Sequence, residues 1–243
     1  MVERDGIMVE AVKVSANDRK ERIAAGRGIP RCRGRRGSGG PALPHRIVNK
    51  KEIAAFFDRM APTWDDHMVT DDDKLALILD TAGVTKNRTV LDVACGTGVL
   101  FPYYLRRDVS RVIGVDISAE MTRIAAAKLH DPRVEVVCGD IEILPVLMQC
   151  DCCMVYNAFP HFEDPARLIA RLVPWLKPGG RLTVAHSMGV EALARHHAGD
   201  ASHVSRAMLS ADELSGILAP WFEVDARISD AEKYIVSGSL RGE

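Results

Sequence analysis

The chain has 243 residues, 47% of them hydrophobic and 27% charged, with a formal net charge of −1, the balance of an ordinary globular protein rather than a disordered or fibrous one. Its apolar runs, such as Leu75 to Leu79, are far shorter than the ~20 residues that a bilayer demands. No charged start leads into an apolar segment of signal-peptide length, so membrane-spanning and secreted classes are disfavoured and the expected compartment is the cytoplasm.

The charge is unevenly placed. Residues 1–50 carry 12 Lys or Arg against 5 Asp or Glu, whereas residues 51–243 carry 20 against 28. The basic end includes the run Gly26 to Pro41, too rich in Gly, Arg and Pro to offset its ordering entropy by burial. Residues 1–46 are therefore expected to form a disordered basic tail, and residues 47–243 the folded domain. Without interleaved aromatic side chains for base stacking, the tail reads as a dispensable extension sooner than as an RNA-contacting arm.

Periodic order begins near residue 48. Ile53, Phe56, Phe57 and Met60 recur at helical spacing until Ala61-Pro62-Thr63 interrupts them, because proline cannot continue a helix. A second helix is expected over Asp72–Ala82, opening with acidic residues that suit a helix N-terminus. Thr89–Val93 then reads as a strand, Cys95-Gly96-Thr97-Gly98 as a glycine turn and Val99–Arg107 as a helix. The next strand, Val112–Val115, ends at Asp116 and leads into a helix whose Met121, Ile124, Ala125 and Leu129 share one face, with Ser118 as N-cap. Val134–Val137 is a third strand ending at Gly139-Asp140, and Cys152–Tyr156 a fourth. A helix starting at Asp164-Pro165 and stopping at Pro178-Gly179-Gly180 precedes a fifth strand, Arg181–Ala185. Beyond these, Met188–His197 and Ser210–Leu218 are predicted helices, and Trp221–Ile228 and Glu232–Ser237 predicted strands around a tight turn at Ser229-Asp230.

Strands alternating with helices specify an α/β fold, because parallel neighbours need crossover connections. The expected architecture is a doubly wound, mostly parallel sheet with a C-terminal antiparallel hairpin at one edge. The six cysteines lack the paired spacing of a zinc site. In Cys150-x-Cys152-Cys153, strand alternation sends Cys150 and Cys152 to one face and Cys153 to the other, so the cluster reads as buried reduced thiols with no metal role.

In an open α/β sheet ligands bind at the carboxyl ends of the strands near the point where strand order reverses. The residues there are Asp92 to Gly98 after the first strand, Asp116 after the second, Asp140 after the third and Asn157 after the fourth. Gly96 and Gly98 let a ligand lie against bare backbone. A dinucleotide fingerprint needs a third glycine at position 101, which holds Phe101, and no Walker lysine follows. Three carboxylates rim the pocket instead; they repel phosphate and suit a ligand bearing an ammonium, a sulfonium and a ribose diol. Asp116 is placed to accept ribose hydroxyls, Asp140 an adenine amino group, and Asp92 to support the amino-acid end directly or through the turn. Ile117 and Ile141 offer apolar surfaces for the adenine, and Ala94 and Met121 complete the expected lining. Taken singly, Asp116 is equally a helix cap and Asp140 a turn residue.

Val90 to Gly98, Gly114 to Ser118, Gly139-Asp140 and Leu176 to Gly180, in that order, resemble the successive motifs of the Rossmann-like class I S-adenosyl-L-methionine-dependent methyltransferases over roughly residues 50–186. The stretch Phe57 to Asp65 resembles the lead-in of the ubiquinone/menaquinone C-methyltransferase branch. The resemblance implies S-adenosyl-L-methionine as cofactor, with Asp92, Gly96 and Gly98 at its methionine end, Asp116 on the ribose and Asp140 on the adenine. The turn departs from many relatives in carrying Val99 where a small or acidic residue is common.

A sulfonium methyl needs mainly a nucleophile held close and aligned, and a hydroxyl or carbon acid also needs a base. His161 and His186, after the fourth and fifth strands, are the candidate bases because histidine titrates near neutrality; each is equally a local hydrogen bonder. Asn157-Ala158-Phe159-Pro160-His161-Phe162 lacks the Asn/Asp-Pro-Pro-aromatic signature of enzymes that methylate nucleic-acid bases. Phe57, Trp64, Phe159, Phe162 and Met188 are expected to give the acceptor pocket an apolar wall, and residues 187–209, with His196, His197 and His203, to form a lid over it. The partner is thus expected to be a small, largely apolar, quinol-like acceptor. A binding module without turnover, a methyltransferase acting on RNA or protein and a nicotinamide-dependent reductase are the rivals, and the sequence fixes neither the methylated atom (C, N, O or S) nor the oligomeric state.

Overall fold

A computed structural model describes residues 49–197 and 200–242. The tail expected over residues 1–46 lies outside the described residues. Seven strands form one sheet in the order β3-β2-β1-β4-β5-β7-β6. They are β1 (Thr89–Val93), β2 (Arg111–Asp116), β3 (Val134–Cys138), β4 (Cys150–Tyr156), β5 (Leu176–His186), β6 (Phe222–Ser229) and β7 (Tyr234–Leu240). The first five pair in parallel. β7 lies antiparallel between β5 and β6, so the expected edge hairpin is present. Among the described residues no helix is long and apolar enough to cross a membrane.

The helices are α1 (Lys50–Met60), α2 (Asp72–Thr81), α3 (Phe101–Arg106), α4 (Ala119–Lys128), α5 (Pro165–Leu172), α6 (Val190–His197) and α7 (Ala211–Leu218). Side chains alternate across the sheet. Leu91 and Val93 join the cluster built with Leu168, Ile169 and Leu172 of α5 and Leu214 and Leu218 of α7. Val90 joins the opposite cluster, with Leu75, Ile78 and Leu79 of α2 and Phe101 and Tyr104 of α3. The N-caps behave as their chemistry dictates: Ser118 accepts from Met121 N–H and Asp164 from Arg167 N–H, and Ser210 forms a full capping box with Glu213.

Three details depart from expectation. The helix entered at Asp164 ends at Leu172 rather than running to Pro178, because Pro174 cannot donate to the helix and starts a short 3₁₀ turn over Val173–Trp175. β5 consequently begins at Leu176. The connection from β3 to β4 holds turns instead of a helix. Finally, a register shift between Cys150 and Cys152 breaks the alternation, so Cys150 packs in the same cluster as Cys153 while Cys152 faces the other way. Asp151 lies within the shift, where it accepts from Thr89 N–H and Lys177 Nζ. The thiols are free and buried, and burial pushes Cys150 up to about 11 and Cys152 up to about 12.

Candidate active site

The sheet order places β1 between β2 and β4, so the chain reverses its direction of winding at the β1/β4 boundary. A pocket of about 1220 Å³, including space open to solvent, lies there, lined by residues that follow β1, β2, β3 and β4 and by α1 and the segment after it.

The glycine turn forms its floor. Gly96 and Gly98 have φ of 55° and 77°, the left-handed region that favours glycine. A Cβ on Gly98 would lie 2.6 Å from the Phe101 ring, and one on Gly114 of β2 would lie 2.5 Å from it. Phe101, 1% exposed, thus fills the space beneath the turn. Ala94 also adopts φ 54° and Asn157 φ 53°; a left-handed non-glycine residue is strained by ~1–2 kcal/mol, and these two end adjacent strands at the pocket.

Asp116 presents its carboxylate from the end of β2. Oδ2 accepts from Gly96 N–H at 2.8 Å and Oδ1 from Ser118 N–H at 2.9 Å, which orients the group and leaves further lone pairs for a ligand diol. Burial raises its pKa, opposed by those backbone donors. Asp140 accepts from Glu142 N–H at 3.0 Å and from Lys50 Nζ at 2.6 Å. Ile117, Met121 and Ile141 line the space between the two carboxylates.

Asp92 sits elsewhere. It is 2% exposed and lies under the turn rather than on the pocket lining. Burial pushes its pKa up to about 8, the Asp116 charge adds to the shift and the Tyr104 hydroxyl opposes it. Of its two expected modes of support, only the one through the turn fits this placement. Gly98 shapes the turn without lining the pocket.

Part of the pocket wall is aromatic. Phe57 meets His161 with ring centroids 4.9 Å apart and Trp64 at 5.7 Å, both edge to face. His161 Nδ1 lies 2.9 Å from the Val204 carbonyl and 3.2 Å from Ser205 Oγ. A carbonyl only accepts, so this contact favours a proton on Nδ1. Asn157 ties β4 to β5, accepting from Ser187 N–H at 2.9 Å. His186 is fully buried at the end of β5, beside Tyr234 of β7 at 6.3 Å between ring centroids, and does not line the pocket. Phe57, Trp64 and Phe162 line it, whereas Phe159 is core and Met188 is 39% exposed away from it.

Two contributions were missed in the sequence. Lys50 reaches Asp140 from the first turn of α1; its signal is a pair of lysines where a helix dipole disfavours cations. Val204, the residue that biases the His161 tautomer, is fully buried with Ile53 and Phe56 of α1, and an apolar residue acting through its carbonyl leaves no sequence trace.

A family profile described as a methyltransferase domain matches residues 91–184. A malonyl-[acyl-carrier protein] O-methyltransferase from Hamiltonella defensa is 30% identical over 179 residues, covering 72% of this chain and 68% of that protein. A demethylmenaquinone methyltransferase from Renibacterium salmoninarum is 30% identical over 143 residues, covering 55% of this chain and 58% of the relative. The chain thus spans little more than half of that relative, and 51% of a malonyl-[acyl-carrier protein] O-methyltransferase from Priestia megaterium. Among solved structures, the N-methyltransferase NodS from Bradyrhizobium japonicum with S-adenosyl-L-homocysteine superposes with a TM-score of 0.62 at 15% identity, over 78% of this chain and 98% of NodS. The [4+2]-cyclase SpnF does so with 0.66 at 18%, over 85% and 100%; at such identities these neighbours bear on the fold alone.

The chain belongs to the class I S-adenosyl-L-methionine-dependent methyltransferases. Its cofactor is S-adenosyl-L-methionine, and the residues present fit it: an oriented carboxylate for a diol, a second for an amino group, apolar walls between them and a bare glycine turn.

Proposed function

We propose that this chain methylates a hydroxyl on a small, largely apolar, quinol-like acceptor, with His161 as general base. The observation that carries the reading is His161 itself, its Nδ1–H tautomer favoured by the Val204 carbonyl and its ring set against Phe57 in an aromatic wall. When bound, S-adenosyl-L-methionine would supply an activated sulfonium methyl to the acceptor oxygen and would leave as S-adenosyl-L-homocysteine. His161 Nε2 accepts the hydroxyl proton. Phe57, Trp64 and Phe162 exclude water and present flat surfaces to a ring. Among the described lining residues Lys50 is the one lysine or arginine, and Asp140 and Glu142 already hold it. A carboxylate acceptor of the kind named for the malonyl relatives therefore has less to recognise here than the ring of the quinone-pathway relatives, which include a ubiquinone biosynthesis O-methyltransferase from Coxiella burnetii.

A transfer assay with methyl-labelled cofactor, offering substituted catechols and hydroquinones beside a malonyl thioester, tests the reading. Label is expected on a phenolic oxygen. Efficient labelling of the thioester, of RNA or of protein instead would overturn it.

A further inference from the structure

Asp140 does not act alone at its end of the pocket. The Lys50 ammonium that contacts its Oδ2 at 2.6 Å also contacts Glu142. Glu142, with its side chain 4% exposed, accepts in turn from Arg167 Nε at 2.7 Å. Lys50 lines the pocket with both carboxylates. Its location is unfavourable on local grounds: Lys50 and Lys51 open α1, where the helix dipole repels cations. Burial also opposes its charge, yet the hydrogen bonds from the ammonium to Asp140 and Glu142 hold its pKa above the ordinary lysine value. A residue that breaks a local rule needs a compensating partner, and the two carboxylates provide it.

The other anchors of α1 lie further along the helix. Asp58 accepts from Ser118 Oγ at 2.6 Å and from Glu120 N–H at 3.1 Å, and Ile53 and Phe56 pack on Val204. Without Lys50, Asp140 and Glu142 would face each other as like charges, and the first turn of α1 would lose its ionic hold on the pocket.

We propose that Lys50 is a cofactor-positioning residue, which fixes Asp140 in the orientation that receives the adenine amino group and anchors the start of α1 over that subsite. Lys50 acts through Asp140, so the two positions are energetically coupled. The Lys50 side chain is 36% exposed, so salt weakens the ion pair.

Calorimetry of S-adenosyl-L-homocysteine binding to the full chain tests this without requiring turnover. Lys50→Met is expected to weaken binding about tenfold and Lys50→Arg less than about threefold. Wild-type affinity should fall with added salt while that of Lys50→Met stays nearly flat. Lys50→Met added to Asp140→Asn should cost far less than it does alone. Lys50→Gln, which keeps a donor without charge, should fall between Met and Arg and serves if Lys50→Met does not fold. Unchanged or tighter binding in both uncharged variants, fully additive losses in the double variant, or losses that simply track the melting temperature would overturn the proposal.

Discussion

Thr97 of the glycine turn donates its hydroxyl to Asp65 Oδ1 at 2.6 Å, and the other oxygen of that carboxylate accepts from Lys128 of α4 at 2.7 Å. The segment after α1 is thereby fastened to the floor of the pocket it covers, with Trp64 and Met68 on either side of the fastening. Asp65→Ala is expected to weaken cofactor binding by about 1 kcal/mol, the worth of a net hydrogen bond, with little change in melting temperature. Calorimetry on the variant checks this; wild-type affinity would show that the covering segment does not depend on Asp65.

The orientation of Asp116 by Gly96 and Ser118 N–H makes it the proposed anchor of the cofactor's ribose diol. Asp116→Ala should weaken both S-adenosyl-L-methionine and its demethylated product by about 1.5–3 kcal/mol, roughly one to two decades in affinity. Asp116→Asn should also loosen the turn, because one of its oxygens is replaced by a group that cannot accept from Gly96 or Ser118 N–H.

The two histidines should separate. His161→Ala is expected to lower turnover by roughly 10²–10⁴ while leaving cofactor affinity nearly intact. His186→Ala should instead appear as a loss of stability, since that side chain is buried beside Tyr234 and away from the pocket. Turnover and melting curves on both variants decide the matter, and full turnover in His161→Ala would leave the reaction without this base.

Backbone strain and packing make opposite predictions at neighbouring positions. Gly114→Ala drives a Cβ to 2.5 Å from Phe101 and should destabilise by ~1–3 kcal/mol as overpacking does, with partial recovery when combined with Phe101→Leu. Ala94→Gly relieves a left-handed alanine and should raise stability by a few tenths to ~1 kcal/mol. Urea unfolding measures both.

Stability should carry the signature of Asp92. Its folded pKa of about 8 exceeds the unfolded carboxylate value of ~3.9, so the folded chain holds a proton that the unfolded chain releases. The contribution is fully present below about pH 4 and is lost as pH rises towards 8. Asp151 runs the other way: its pKa, lowered to about 2, contributes stability above about pH 4 that is lost as pH falls. Burial opposes that lowering, and Thr89 and Lys177 outweigh it. Asp92→Asn should flatten the decline between pH 4 and 8 and leave the acid limb unchanged.

The part of the pocket lining at the strand ends was legible because its residues sit where parallel strands finish. Asp116, Asp140, Gly96 and Ile141 follow strands whose apolar runs are unambiguous, and in a parallel sheet those ends converge. His186 also ends a strand, yet sequence order does not reveal that β7 would pair beside it and bury it against Tyr234. The shift at Asp151 was hidden for a related reason: alternation presumes an unbroken ladder, and Asp151 satisfies Thr89 and Lys177 by leaving it. Pro174 was visible but outweighed by the stronger Pro178-Gly179-Gly180 stop. Lys50 looked like any solvated helical lysine, because its partners are some ninety residues away.

α1 places Lys50 beside the proposed adenine subsite and Phe57 beside the proposed acceptor subsite, seven positions apart on a single helix, a rod of roughly 10 Å at 1.5 Å per residue. A rod that short does not bend, so a tilt imposed at one end is felt at the other. Any factor by which an occupied acceptor end raises affinity for the cofactor must then be returned undiminished when the order of addition is reversed. Heterotropic cooperativity between the two ligands is therefore the expected outcome if both proposed subsites hold, and titrating each ligand in the presence of the other measures it.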